Sequence, residues 1–129
     1  MQNAPLIVVP MSNKDAYLDR YTEADKGWTD RAEARWAVPY WHINTGMATL
    51  AMLLSAVDEG LGACFFAIMP EHLEGFRAEF NVPSGYDPIG AITVGHRTSG
   101  QPTARFEQRQ RDIADVVHDG CWGQPWPGA

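Results

Sequence analysis

The chain has 129 residues, 45% of them hydrophobic, with a net charge of −6 and an isoelectric point near 5.0. That is one globular domain's worth of sequence, and its acidic balance excludes nucleic acid as a main partner, because neutralising phosphates takes a basic face. Two cysteines, Cys64 and Cys121, are too few for a disulfide framework, and no uninterrupted apolar run reaches the roughly 20 residues of a membrane span.

The start, Met1-Gln2-Asn3, lacks the basic and apolar pattern of a leader, which sets the expectation of a cytoplasmic protein. Leu6-Ile7-Val8-Val9, β-branched and following Pro5, predicts a buried strand. Residues 12–21 read as a short helix or a loop. Residues 25–35 are charged and exposed, with Asp30 as a helix cap. Ala37-Val38-Pro39-Tyr40-Trp41 then reads as an aromatic turn, and Trp36, Tyr40 and Trp41 as the sealed rim of an interface or, second to that, the lining of a ligand cleft.

From Gly46 to Val57 apolar residues fall on every face, including Met47, Leu50, Met52, Leu53, Leu54 and Val57. A helix that is apolar all round is buried on all sides. A chain this short encloses one most readily between its own core and a partner; the central helix of a monomer is the alternative. Asp58-Glu59, in the last turn, reads as a solvated edge or one side of a dimer ion pair. Gly60 and Gly62 supply the backbone that ends the helix and reverses the chain, and without side chains they let a flat ligand approach. The apolar run 63–68 predicts a second buried strand, with Cys64 as a small buried hydrophobe. Pro70 opens a helix over 71–80 with Leu73, Phe76 and Phe80 on one face. A further buried strand follows over 89–94, then a polar stretch with a short element at 113–117.

Metal chemistry is disfavoured: His42, His72, His96 and His118 are far apart and form no ligand spacing with the cysteines. No nucleophile elbow, lysine-bearing phosphate loop or dinucleotide fingerprint is present.

Taken together, the strand after Ala4-Pro5, the apolar helix, Gly60-Leu61-Gly62-Ala63-Cys64-Phe65-Phe66, the helix over 71–80 and the strand ending Val94-Gly95-His96 resemble the later part of a nitroreductase-family flavoprotein. Arg109-Gln110-Arg111, followed by Val116-Val117-His118 and Trp122-Gly123, is similar to the family's tail. The resemblance implies an α/β (α+β) fold: a mixed sheet flanked by helices, truncated, with a long buried dimer-interface helix. Residues 1–129 are then one partial domain, with 97–129 as a polar tail.

It also implies a homodimer that binds FMN and passes electrons from NAD(P)H to quinones, nitroaromatics or similar acceptors. In that reading Gly60 and Gly62 belong to the cofactor-binding set, the Phe66-Ala67-Ile68 backbone runs along the isoalloxazine edge, and Arg109 and Arg111 hold the phosphate. Ala67 stands where many relatives keep glycine. Relatives also begin with a serine-containing basic segment and a ring-cupping segment that have no counterpart before Ala4. The expectation is therefore a longer gene product, a second polypeptide supplying that part, or a flavin-binding or structural dimer module that does not catalyse.

Overall fold

The structure is a computed structural model that describes residues 4–97 and 111–128. They fall into two compact units, Met1–Arg97 and Thr98–Ala129. In chain order the first unit holds β1 (Leu6–Val8), β2 (Met11–Ser12), α1 (Lys14–Tyr21), a 3-10 turn (Glu33–Arg35), α2 (Tyr40–Asp58), β3 (Gly62–Phe66), α3 (Pro70–Glu79), β4 (Asp87–Pro88) and β5 (Ala91–Gly95).

β5 is the centre of a three-stranded antiparallel sheet of order β1-β5-β3. Its residues Ala91, Ile92 and Thr93 are buried, as expected for a strand flanked on both sides. The flanking strands are edges, and here the sequence expectation is corrected. Leu6 and Ile7 of β1 are 52% and 59% exposed, and Cys64 and Phe65 of β3 are also exposed. β-Branched content specifies a strand, but not which side of a sheet it occupies. β2 and β4 form a separate two-residue ladder, Met11↔Pro88 and Ser12↔Asp87, extended by the Ile89 amide donating to Pro10 O at 3.1 Å.

α1 is capped by Asn13, whose side chain accepts from the Ala16 amide at 2.7 Å. Asp30 accepts from the Ala32 amide at 2.9 Å, one residue ahead of the 3-10 turn, so it stabilises a turn start rather than capping a long helix. Arg20 grips Asp25 at 2.7 Å, Arg31 reaches Asp15 and Asp19, Lys14 reaches Glu33, and Arg35 pairs with Asp30. Inside this charged shell Trp36 meets Tyr17, Tyr21, Trp28 and Tyr40 with ring centroids between 4.6 and 5.4 Å apart.

α2 starts earlier than the sequence suggests. Pro39 sits at its N-cap, so Tyr40 and Trp41 form its first turn, not a loop before it. Trp41 is buried within its own unit, 6.3 Å from the Tyr17 ring, which removes it from an exposed rim. The buried line of α2 is narrow, running through Trp41, Thr49 and Ala56. On the other side Tyr40, Ile43, Met47, Leu50, Leu54 and Val57 are exposed at spacings of three and four, with Met47 at 66% and Leu54 at 62%. The helix expected to be buried all round is thus, within one chain, buried along one line. Among the described residues no helix is long and apolar enough to cross a membrane.

In the second unit, Asp112 caps a 3-10 turn (Ile113–Asp115) through the Ala114 amide at 3.0 Å. His118 bridges to Pro125 and lies 4.4 Å from the Trp122 ring. Arg109 lies outside the described residues.

Two outcomes follow from this packing. A Cβ at Gly90 overlaps the Phe65 ring and comes 2.7 Å from Phe66 O. Gly90→Ala is expected to cost about 2 kcal/mol in urea denaturation, and a change within experimental error refutes the interlock. Arg20 and Arg35 hold the Asp25 and Asp30 carboxyls below the ordinary range through direct hydrogen bonds. A depressed folded pKa gives stability that is present above the unfolded value and lost as pH falls through the folded one. Trp28 and Trp36 fluorescence is therefore expected to change below about pH 4, with a midpoint that high salt moves to higher pH; a salt-independent transition counts against the ion pairs.

Candidate functional site

The site begins where α2 turns into β3. The Leu61 amide donates to Ala56 O at 2.8 Å and the Gly60 amide to Val57 O at 3.0 Å, the paired bonds of a Schellman ending. Gly60 has φ of 72°, which that ending requires and which a side chain disfavours. Gly62 is needed for another reason. A Cβ there meets Arg97 Cγ at 2.9 Å, so the arginine stem fills the space that glycine leaves. Gly60 itself faces open space.

β3 leaves the sheet after Phe66, which pairs with Ala91. Ala67, Ile68 and Met69 belong to no helix or strand. Among the described residues, no backbone hydrogen bond engages the amides of Ala67 and Ile68. Backbone donors without partners normally face water or a ligand. Ala67 is exposed, whereas the Phe66 and Ile68 side chains on either side of it line an open apolar groove of about 980 Å³.

Strand register explains the cavity wall. Ile7, Phe66 and Ala91 stand on one face of the sheet, because cross-strand partners share a face. Val9 and Met11 continue that wall, and α3 closes it with His72, Phe76 and Phe80, four residues apart along one face. The loop after α3 supplies Asn81, Val82, Pro83 and Tyr86. Asn81 has φ of 49°, and the Val82 amide donates to Arg77 O at 3.0 Å. Arg77 also donates to Pro83 O at 3.3 Å and to Asp87 at 2.7 Å, tying the loop to α3.

A flavin needs an edge of backbone donors, an apolar surface and a cation for its phosphate. The first two are met at residues 66–68. The third is not met inside the cavity, whose lining contains no lysine or arginine. In the first unit Lys14, Arg20, Arg31, Arg35 and Arg77 are each paired with carboxylates, while Lys26 and Arg97 have no such partner among the described residues. Arg111 is exposed in the second unit. Residues 66–68 therefore offer the donors and apolar surface that a ring needs, and the lining offers no cation for a phosphate. Among the described residues no group of three histidines, cysteines or carboxylates is arranged to hold a metal.

Several wall residues escaped the sequence reading. Grouping Leu73 with Phe76 and Phe80 passed over His72, although the i, i+4, i+8 series His72–Phe76–Phe80 was there to find. Arg77, Asn81 and Tyr86 gave no such signal, since their roles come from a loop folding back on its own helix.

Residues 1–96 match the family model of the nitroreductase family. An uncharacterized 15.4 kDa protein in the ask 5′ region of Mycolicibacterium smegmatis is 29% identical over 113 residues, covering 79% of this chain and 69% of that protein. A nitroreductase family protein from Clostridium difficile 630 superposes with a TM-score of 0.65 at 22% identity, covering 92% of this chain and 61% of the other. An FMN-dependent nitroreductase from Clostridium difficile R20291 gives 0.60 at 20% identity, over 94% of this chain and 60% of the other. At these identities the likeness to the solved structures is one of fold. The chain spans about three fifths of the length of these two solved structures.

The bracing of the cavity wall has a measurable signature. Arg77→Met is expected to lower stability by about 1 kcal/mol and to speed hydrogen exchange at Val82 and Tyr86 by about fivefold. Unchanged exchange at both amides would show that the loop does not depend on Arg77.

Proposed function

Because the chain belongs to the nitroreductase family, we propose that it acts as, or as part of, an FMN-dependent oxidoreductase that takes electrons from NAD(P)H and delivers them to nitroaromatics, quinones or similar acceptors. The observation that carries this reading is the segment after β3, where the amides of Ala67 and Ile68 stand without backbone partners beside an exposed alanine. Bound FMN supplies the hydride chemistry, accepting two electrons from the nicotinamide and passing them on. In this reading the Ala67 and Ile68 amides orient the polar edge of the ring, and the Phe66 and Ile68 side chains form an apolar backing behind it. Arg111 and Arg109 neutralise the phosphate. Gly60 and Gly62 act indirectly, by holding the turn from which β3 begins.

The same reading makes the protein a cytoplasmic homodimer joined through α2. The exposed line Tyr40, Ile43, Met47, Leu50, Leu54 and Val57 follows the three-and-four spacing of helices that pack in pairs. A two-fold pairing of this stripe covers the largest run of exposed apolar residues on the helix. A second reading is favoured by the lack of any cation among the residues that line the groove. In it, this chain is a dimeric module whose flavin site is completed by another polypeptide.

Absorption spectroscopy separates the two. Protein mixed with FMN and then desalted is expected to keep a flavin spectrum that NADH bleaches; a colourless protein overturns the self-sufficient oxidoreductase and favours the second reading. For the dimer, Leu54→Glu is expected to weaken self-association in sedimentation by about a hundredfold. A monomeric wild type, or a variant as dimeric as wild type, sinks the α2 interface.

A further inference from the structure

We propose that Asp119-Gly120 is a modification site, at which the Gly120 amide nitrogen attacks the Asp119 side chain and the chain rearranges into a β-linked aspartyl residue. The inference concerns the second unit alone and is independent of the oxidoreductase reading.

Asp119-Gly120 is the one place in the 129 residues where glycine follows an aspartate or an asparagine. The attack needs a main-chain nitrogen with no bulky side chain beside it, and glycine is the least hindered residue to supply one. The fold leaves that nitrogen available. Both residues are exposed, and no backbone hydrogen bond engages the Gly120 amide among the described residues. A Cβ placed at Gly120 meets nothing within 4 Å, so there is room beside the nitrogen for a ring to close. No ion pair ties the Asp119 carboxylate among the described residues. Asp112 and Asp115 differ on these points. Asp112 accepts from the Ala114 amide at 3.0 Å, and the residues that follow the two, Ile113 and Val116, are β-branched and crowd the nitrogen.

The rearrangement balances with water as its only co-reactant. A bond forms between Gly120 N and Asp119 Cγ, the Cγ–OH bond breaks, and the amide proton leaves with the hydroxyl as water. Water then adds to the main-chain carbonyl carbon of Asp119, its bond to Gly120 N breaks, and a proton returns to the nitrogen. The product keeps the original mass, but its main chain runs through Cβ and is one atom longer. The hairpin is poorly placed to absorb that atom. The Asp119 amide donates to Gln124 O at 2.8 Å, and the Cys121 amide donates to Asp119 O at 2.7 Å. The second bond closes a three-residue turn whose centre, Gly120, has φ of 70°. Rearrangement moves Asp119 O out of the main chain and opens that turn. His118, bridged to Pro125 and 4.4 Å from the Trp122 ring, is then released from both.

The test ages the full chain at neutral pH and physiological temperature, then cuts it with trypsin, which frees residues 112–129 as one peptide. That peptide is expected to separate into two forms of equal mass on chromatography. The new form is expected to accept a methyl group from an isoaspartyl methyltransferase, and electron-transfer fragmentation to place the β-linkage at residue 119. Asp119→Glu, whose ring would be one atom larger, is expected to lose the new form. Asp119→Asn is expected to produce it about tenfold or more faster, with release of ammonia, because an amide is displaced without the protonation that an ionised carboxylate first requires. In the intact aged chain, the ring-current shift that Trp122 imposes on the His118 ring protons is expected to be lost in proportion to the new form. The site is overturned by a wild type that ages without a second form, by a β-linkage at Asp112 or Asp115 with Asp119 intact, or by Asp119→Glu ageing as fast as wild type. Asp119→Asn no faster than wild type overturns the cyclic route, and an unchanged His118 signal in β-linked chains overturns the opening of the hairpin. Each readout is made without flavin, so its failure is distinct from failure of the oxidoreductase reading.

Discussion

The first unit depends on a single reversal, the Schellman ending at Gly60 that converts α2 into β3 within four residues. Its two backbone bonds, from the amides of Gly60 and Leu61, fix where the helix stops and the direction in which the strand leaves. β3 then lies beside β5 in the register Gly62↔Gly95 through Phe66↔Ala91. That register decides which side chains face α3 and which face away. A reversal one residue later would turn Phe65 toward the cavity in place of Phe66 and move the free amides of 67 and 68. The position of a glycine in a turn thus sets the chemistry presented eight residues downstream.

α2 carries the second constraint. Its buried line is stitched by threonines bonding back along the helix, Thr45 to Trp41 O at 2.9 Å and Thr49 to Thr45 O at 2.8 Å. These satisfy hydroxyls that would otherwise be stranded against the core. The opposite line is apolar at its six exposed positions and has no cover among the described residues. Exposed apolar patches of this extent mark interaction surfaces in soluble proteins. The same sequence property that made the helix seem fully buried therefore leaves the core on one side and an exposed apolar line on the other.

Much of the architecture was legible in residue order. Pro70 starting a helix, the glycines ending α2, and the buried run at Ala91, Ile92 and Thr93 all follow from local chemistry that acts over a few residues. Strand burial was less legible. Leu6-Ile7-Val8 and Cys64-Phe65 look like core strands, yet each belongs to an edge, and edge status is set by which strands are present elsewhere in the sheet. The start of α2 was missed because Pro39 was read as breaking the chain when it was capping it. The site divides similarly: residues 66–68 were found from their place after the turn, while His72, Arg77, Asn81 and Tyr86 required the folded loop to show what they enclose.

The unpaired side of β1 has a consequence for the protein as a colloid. Leu6 and Ile7 lie on a strand whose outer amides and carbonyls have no ladder partner among the described residues, a template onto which another extended chain can add. Against this stands the net charge of −6, which keeps copies apart by repulsion. That protection vanishes near pH 5.0, where the chain carries no net charge. Mildly acidic buffers, at salt that screens what charge is left, are then the conditions under which this edge governs whether the protein stays dispersed or grows into strand-linked aggregates.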